Sequence, residues 1–114
     1  MADSSPTIDQ LYEVIASRRG ADPRESYTAK LYADGRAKIV RKFGEEAVEV
    51  CVAALSESRD EVVAESGDLL YHLLVLWADQ GITPDQIWAE LEVRFGTSGI
   101  AEKASRTTTP TLED

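Results

Sequence analysis

The sequence predicts an all-α fold, a helical bundle built on a long antiparallel helix hairpin. Three observations predict it. Apolar residues recur at three- and four-residue spacing along most of the chain, and β-branched alternation is scarce. Start and stop signals for helices punctuate that pattern. Two apolar-striped segments, each long enough at about 20 residues to form a rod of about 30 Å, are separated only by Ser56-Glu57-Ser58.

The elements follow in order. Thr7 with Gln10 forms the pattern of a capping box, and Ile8, Leu11, Tyr12 and Ile15 give a first helix its apolar spacing before Gly20 closes it. Asp22-Pro23 marks a turn. Ser26 is placed to cap a short helix through Leu31 and Ala33, which Asp34-Gly35 breaks. The first long helix runs from about Arg36 to Leu55, with Ile39, Val40, Phe43, Ala47, Val48, Val50, Cys51, Ala54 and Leu55 as its stripe. Ser58 with Glu61 opens the second, whose stripe is Val62, Leu69, Leu70, Leu73, Leu74, Leu76 and Trp77, and Gly81 sits where a C-terminal glycine belongs. Thr83-Pro84-Asp85-Gln86 combines an N-cap, a first-turn proline and a glutamine three residues on, opening a last helix to about Phe95. Residues 1–6 and 107–114 are polar and read as disordered tails, leaving one domain over 7–106.

Both rods are apolar over more than one narrow stripe. Leu70, Leu74, Leu76 and Trp77 cannot all face one partner, so a homodimer that completes the bundle is expected to cover the surplus. A domain of 114 residues buries a modest share of its surface, which points the same way. The net charge of −9 argues against a nucleic-acid partner, which calls for a basic face. No apolar run is long enough for a bilayer, and the N-terminus carries no signal-peptide pattern. Cys51 is the single cysteine, so no internal disulfide forms. Packed among apolar neighbours it is expected to be inert. A cytoplasmic location fits.

The acidic residues are unevenly placed. Glu45, Glu46 and Glu49 lie on the first long helix; Glu61, Glu65, Asp68 and the lone histidine, His72, lie on the second. Residues three or four apart share a helix face, which pairs Glu46 with Glu49 and Glu65 with Asp68. In a hairpin centred near residue 57, facing positions have numbers adding to about 114, so Glu49 faces Glu65 and Glu46 faces Asp68. Converging carboxylates repel unless a cation neutralises them. Oxygen-only donors favour Mg²⁺, Mn²⁺ or Ca²⁺ over zinc, and Mg²⁺ completes its shell with water and substrate phosphates. The chemistry implied is hydrolysis of a phosphate bond. The plainer alternative is a solvated acidic face. Glu61 is accounted for by its capping role.

Lys30, Lys38, Arg41 and Lys42 precede the carboxylates and suit a phosphate clamp, or ordinary pairing such as Lys42 with Glu46. Gly44 and Gly67 stand inside helices at a cost of about 1 kcal/mol each, for which close approach of a helix or ligand is the expected reason. His72, one turn after Asp68, suits either proton transfer or a half-buried structural hydrogen bond.

The pattern Glu45-Glu46-x-x-Glu49 with Glu65-x-x-Asp68 resembles the signature of the all-α nucleoside-triphosphate pyrophosphohydrolases, the MazG-like superfamily. More narrowly, Ser26-Tyr27-Thr28-Ala29-Lys30-Leu31, the run from Lys38 to Glu49, Asp68-Leu69-Leu70-Tyr71-His72 and Gly99 to Arg106 resemble the phosphoribosyl-ATP pyrophosphatase family. The resemblance implies Mg²⁺-dependent hydrolysis of phosphoribosyl-ATP to phosphoribosyl-AMP and pyrophosphate in histidine biosynthesis, by a cytoplasmic homodimer. It implies Glu46, Glu49, Glu65 and Asp68 as metal ligands and Glu45 as the group that positions or deprotonates water. Lys30, Lys38, Lys42, Lys103 and Arg106 become candidates for the substrate's phosphates. Two rivals remain: a pyrophosphohydrolase acting on another, non-canonical nucleoside triphosphate, and a helical interaction module without catalysis. A di-iron bundle needs Glu-x-x-His pairs, and Leu69 stands three before His72.

Overall fold

A computed structural model describes residues 5–56 and 58–95, with side chains described from residue 7 onward. Five helices make up the described chain: α1 (Ser5–Ser17), α2 (Tyr27–Asp34), α3 (Arg36–Ser56), α4 (Arg59–Asp79) and α5 (Pro84–Val93). No strand occurs among the described residues. They fall into two compact units, one ending at Ile82 and one beginning at Thr83. The expected tails fall outside the described residues, apart from Ser5 and Pro6.

In the first unit α3 and α4 form the hairpin, α1 packs on α4, and α2 packs on α3. Capping fixes the register. The Ser26 side chain accepts from the Ala29 N–H at 3.1 Å and starts α2. Gly35 then does double duty. Its N–H returns to the carbonyls of Leu31 and Tyr32, and its own carbonyl accepts from Lys38 and Ile39 as α3 begins. That junction requires φ of 102°, which glycine adopts without a Cβ penalty. Ser58 accepts from the Glu61 N–H at 3.3 Å and starts α4; this hydroxyl half of the expected capping box is the part that forms.

α1 begins at Ser5, ahead of the expected start at Thr7. Pro6 is the reason: its missing N–H costs nothing in a first turn, so the proline sits inside the helix start. The turn from α4 runs through Gln80 and Gly81, as the glycine signal predicts. Tyr12 reaches across to donate to the Ile82 carbonyl at 2.7 Å, tying α1 to that turn.

The core lies at the end of the hairpin remote from its turn. Ile15, Leu31, Ile39, Leu74 and Val75 are fully buried, drawing on all four helices, with Ala29 and Trp77 also buried; Ala53 is buried separately, nearer the turn. Truncating such a residue costs about 2–5 kcal/mol. The rest of the α3 stripe is largely uncovered within the protomer: Val40, Val48, Val52 and Leu55 are exposed, Leu55 to 89%. Cys51, expected to be packed among apolar neighbours, is exposed on this stretch. Its neighbours are apolar, but no element of the described chain covers them.

In the second unit Thr83 caps α5, where the Thr83 N–H donates to Gln86 Oε1 at 2.9 Å and Pro84 occupies the first turn. The helix stops at Val93, two residues short of the expected Phe95.

Candidate metal and phosphate site

The hairpin brings Glu46 from α3 together with Glu65 and Asp68 from α4. A carboxylate oxygen of each lies within 4.8 Å of the others. Glu46 and Asp68 are one of the two pairs expected to face each other across the hairpin. Glu49 stands outside this tight group, although its charge still acts on Glu65. The Glu65 carboxyl is pushed up from the ordinary carboxylate range, first by desolvation and then by the charges of Asp68, Glu49, Glu46 and Glu61. None of Glu46, Glu49, Glu65 and Asp68 has a cationic partner within ion-pair distance among the described residues.

The nearby cations are engaged elsewhere. Lys42 pairs with Glu45 at 3.4 Å, one residue away from the Glu46 expected by simple spacing. Arg41 joins the same Glu45 carboxylate at 3.8 Å. Lys30 and Lys38 both converge on Asp34, at 3.1 and 3.7 Å. The Lys30 hydrogen bond holds the Asp34 carboxyl below its usual range. Asp34 is the partner of both lysines, a pairing that sequence reasoning passed over. The signal existed in the spacing of Lys30, Asp34 and Lys38, four apart each time, but the Asp34-Gly35 break hid it. Lys103 and Arg106 lie outside the described residues.

His72 is buried to 5% exposure, and its Nδ1 has no hydrogen-bond partner. Burial pushes its pKa down, against the opposing pull of Glu46. The ring is buried rather than half-buried, and Nδ1 supplies no structural hydrogen bond among the described residues; aromatic packing surrounds the ring. It meets Tyr27 and Tyr71 edge-on, with ring centroids at 5.9 and 5.3 Å. Tyr71 is in turn hydrogen-bonded to Thr28 Oγ1.

Gly44 and Gly67 are not explained by packing inside the protomer. A Cβ built on either meets no atom within 4 Å. Close approach of another helix of this chain is thus corrected for the described residues.

Three oxygen donors from two rigid helices, with like charges unneutralised, fit a hard divalent cation in donor type and in electrostatics. A family model described as phosphoribosyl-ATP pyrophosphohydrolase matches residues 8–95, which include every residue of this cluster. The chain belongs to the phosphoribosyl-ATP pyrophosphohydrolase family. A phosphoribosyl-ATP pyrophosphatase of Rhodospirillum rubrum is 72% identical over 99 residues, covering 87% of this chain and 85% of the relative. One from Paramagnetospirillum magneticum is 66% identical over 106 residues, with 93% and 97% covered. One from Azospirillum brasilense is 52% identical over 103 residues, with 90% and 93% covered.

Proposed function

We propose that this protein hydrolyses phosphoribosyl-ATP to phosphoribosyl-AMP and pyrophosphate, the second step of histidine biosynthesis, with Mg²⁺ as cofactor. The observation that carries the reading is the set of Glu46, Glu65 and Asp68 within 4.8 Å on two facing helices. These three, with Glu49 at their edge, would hold the metal. Bound there, Mg²⁺ supplies charge neutralisation for the phosphate oxygens and acidifies water.

The chain's own residues supply the rest. Two helices cross-fixed by a capped turn hold the carboxylates at set positions, so little reorganisation accompanies binding. Lys42 sits beside Glu45 and can exchange that carboxylate for a substrate phosphate. When it does, Glu45 keeps only Arg41 as a partner and has an oxygen free to position water. Lys30 and Lys38, gathered by Asp34, present two ammonium groups to a further phosphate, and Lys103 and Arg106 are candidates on the resemblance alone.

A homodimer belongs to the same proposal. Val40, Val48, Val52, Leu55, Val63 and Leu70 are exposed on the hairpin, more large apolar surface than a solvated helix pair ordinarily keeps bare. No described helix is long and apolar enough to cross a membrane, and a cytoplasmic location for a single functional domain over 7–106 fits the acidic composition.

The test is pyrophosphate release from phosphoribosyl-ATP with and without Mg²⁺, beside ATP and dUTP. Mg²⁺-dependent release from phosphoribosyl-ATP alone is expected. Release only from another nucleotide keeps the metal site and replaces the substrate. No release from any of them leaves a non-catalytic helical module.

A further inference from the structure

One aromatic group near the acidic cluster is left without a task by the metal reading. Tyr27 is the first residue of α2, and the Ser26 cap fixes where that helix starts. The residue is 51% exposed, although its ring packs on two other rings. Tyr71 stacks with it at a centroid distance of 6.4 Å and an interplanar angle of 22°. His72 supports it edge-on at 5.9 Å. Tyr71 is itself pinned by the Thr28 hydroxyl, one residue along α2. The Tyr27 ring is therefore held in place from behind yet open on one side, which is the construction of a stacking platform.

Its position relative to the carboxylates is set by α4. His72 lies one turn, about 5.4 Å of rise, beyond Asp68 on that helix. Tyr27 thus stands about one helical turn plus one ring contact from the acidic cluster. A nucleotide has the matching layout: a flat base, then a ribose, then the phosphates. With phosphates over the carboxylates, the ribose spans the gap and the base reaches the tyrosine.

We infer that Tyr27 is a specificity-determining residue whose ring stacks on the purine base of the substrate, with Tyr71 and His72 as its supports. The inference rests on the proposed nucleotide hydrolysis and assigns where the base goes. It also gives buried His72 work that needs no proton: a neutral edge against which Tyr27 is held.

The experiment uses the full chain with Mg²⁺ and two substitutions, Tyr27→Leu and Tyr27→Phe. Each is assayed on phosphoribosyl-ATP and for inhibition by inorganic tripolyphosphate, which has phosphates and no base. Base stacking on an aromatic ring is worth enough that its loss raises KM by about ten-fold or more. Tyr27→Leu is expected to show that rise with kcat little changed, Tyr27→Phe to stay near the unsubstituted protein, and tripolyphosphate inhibition to be the same in all three. An unchanged KM in Tyr27→Leu overturns the assignment. So does an equal weakening of tripolyphosphate, which would mean that the ring acts on the phosphate site. Tyr27→Phe keeps the ring's packing, so a KM rise in that variant, with its thermal midpoint unchanged, also counts against stacking. Failure of the unsubstituted chain to release pyrophosphate is a separate result, and it removes the parent reading as well.

Discussion

Asp79 and Glu46 sit on the same hairpin and receive opposite treatment. Asp79, at the end of α4, is only 12% exposed and is flanked by two arginines. Arg36 donates to it at 2.6 Å and Arg19 approaches to 3.6 Å. Arg19 also lies over the Tyr32 ring at 4.5 Å, and Tyr32 donates to the Ile15 carbonyl, so α1, α2, α3 and α4 meet at one clasp. Glu46, about halfway along the hairpin, has Glu65 and Asp68 as neighbours and no cation among the described residues. One carboxylate is satisfied by the protein itself. The others have only one another, which is the arrangement expected if the proposed cation binds there.

The widest separation between the two regions is expected from paired substitutions. Asp68→Asn removes a proposed ligand and should lower kcat/KM by roughly a thousand-fold, the scale of several kcal/mol in transition-state stabilisation. In Mg²⁺-free buffer the same variant should melt no lower than the parent, because a like charge has gone. Asp79→Asn should do the reverse. It removes the negative charge the two arginines share and turns one acceptor oxygen into a donor, and should cost about 1–3 kcal/mol, discounted for the exposure of both guanidinium groups. Its thermal midpoint falls while kcat/KM at low temperature holds. If Asp68→Asn melts lower and Asp79→Asn loses activity, the contrast fails.

Titration sharpens the comparison. His72 has a folded-state pKa below its ordinary value of 6.5, chiefly because it is buried. Folding therefore favours the neutral ring. Its contribution is full above the unfolded value and is lost as pH falls through 6.5 toward the lowered folded value. Glu65 runs the other way in its own range. Its raised carboxyl favours folding when protonated, so its penalty is greatest at neutral pH and eases as pH drops into the carboxylate range. In Mg²⁺-free protein the thermal midpoint should decline between about pH 7.5 and about pH 5.5, and His72→Gln should flatten that decline. An unaltered slope in His72→Gln would remove the histidine from the account.

Much of this was legible in the residues. Ser26, Ser58, Thr83, Gly35 and Gly81 set helix boundaries by short-range chemistry, which a sequence displays directly. With the turn fixed by Ser58, the meeting of Glu46 and Asp68 followed from counting. What stayed hidden depends on contacts between distant segments. Nothing in the order of residues says that Arg19 and Arg36 share Asp79, or that Tyr27 would be pressed against His72. The pairing of Lys42 with Glu45 in place of Glu46 is a matter of rotamers, which spacing alone does not choose. The α3 stripe misled for another reason: helical periodicity marks an apolar face but does not name the element that covers it.

The smallest effect comes from the two interior glycines. Alanine in their place would gain about 1 kcal/mol of helix propensity, and the protomer has room for the methyl group at both positions. Gly67→Ala should therefore raise the thermal midpoint by a few degrees, about 4–8 °C per kcal/mol for a chain of this size. Gly44 adjoins Glu45 and Glu46, at the level where a substrate phosphate would approach the α3 backbone. Gly44→Ala should show the same thermal gain with a higher KM for phosphoribosyl-ATP. The two variants separate helix propensity from ligand approach, because they share the first and differ in the second. Equal thermal gains with KM unchanged in both would mean that neither glycine is kept for the substrate, leaving a second copy of the chain as the surface that needs the space.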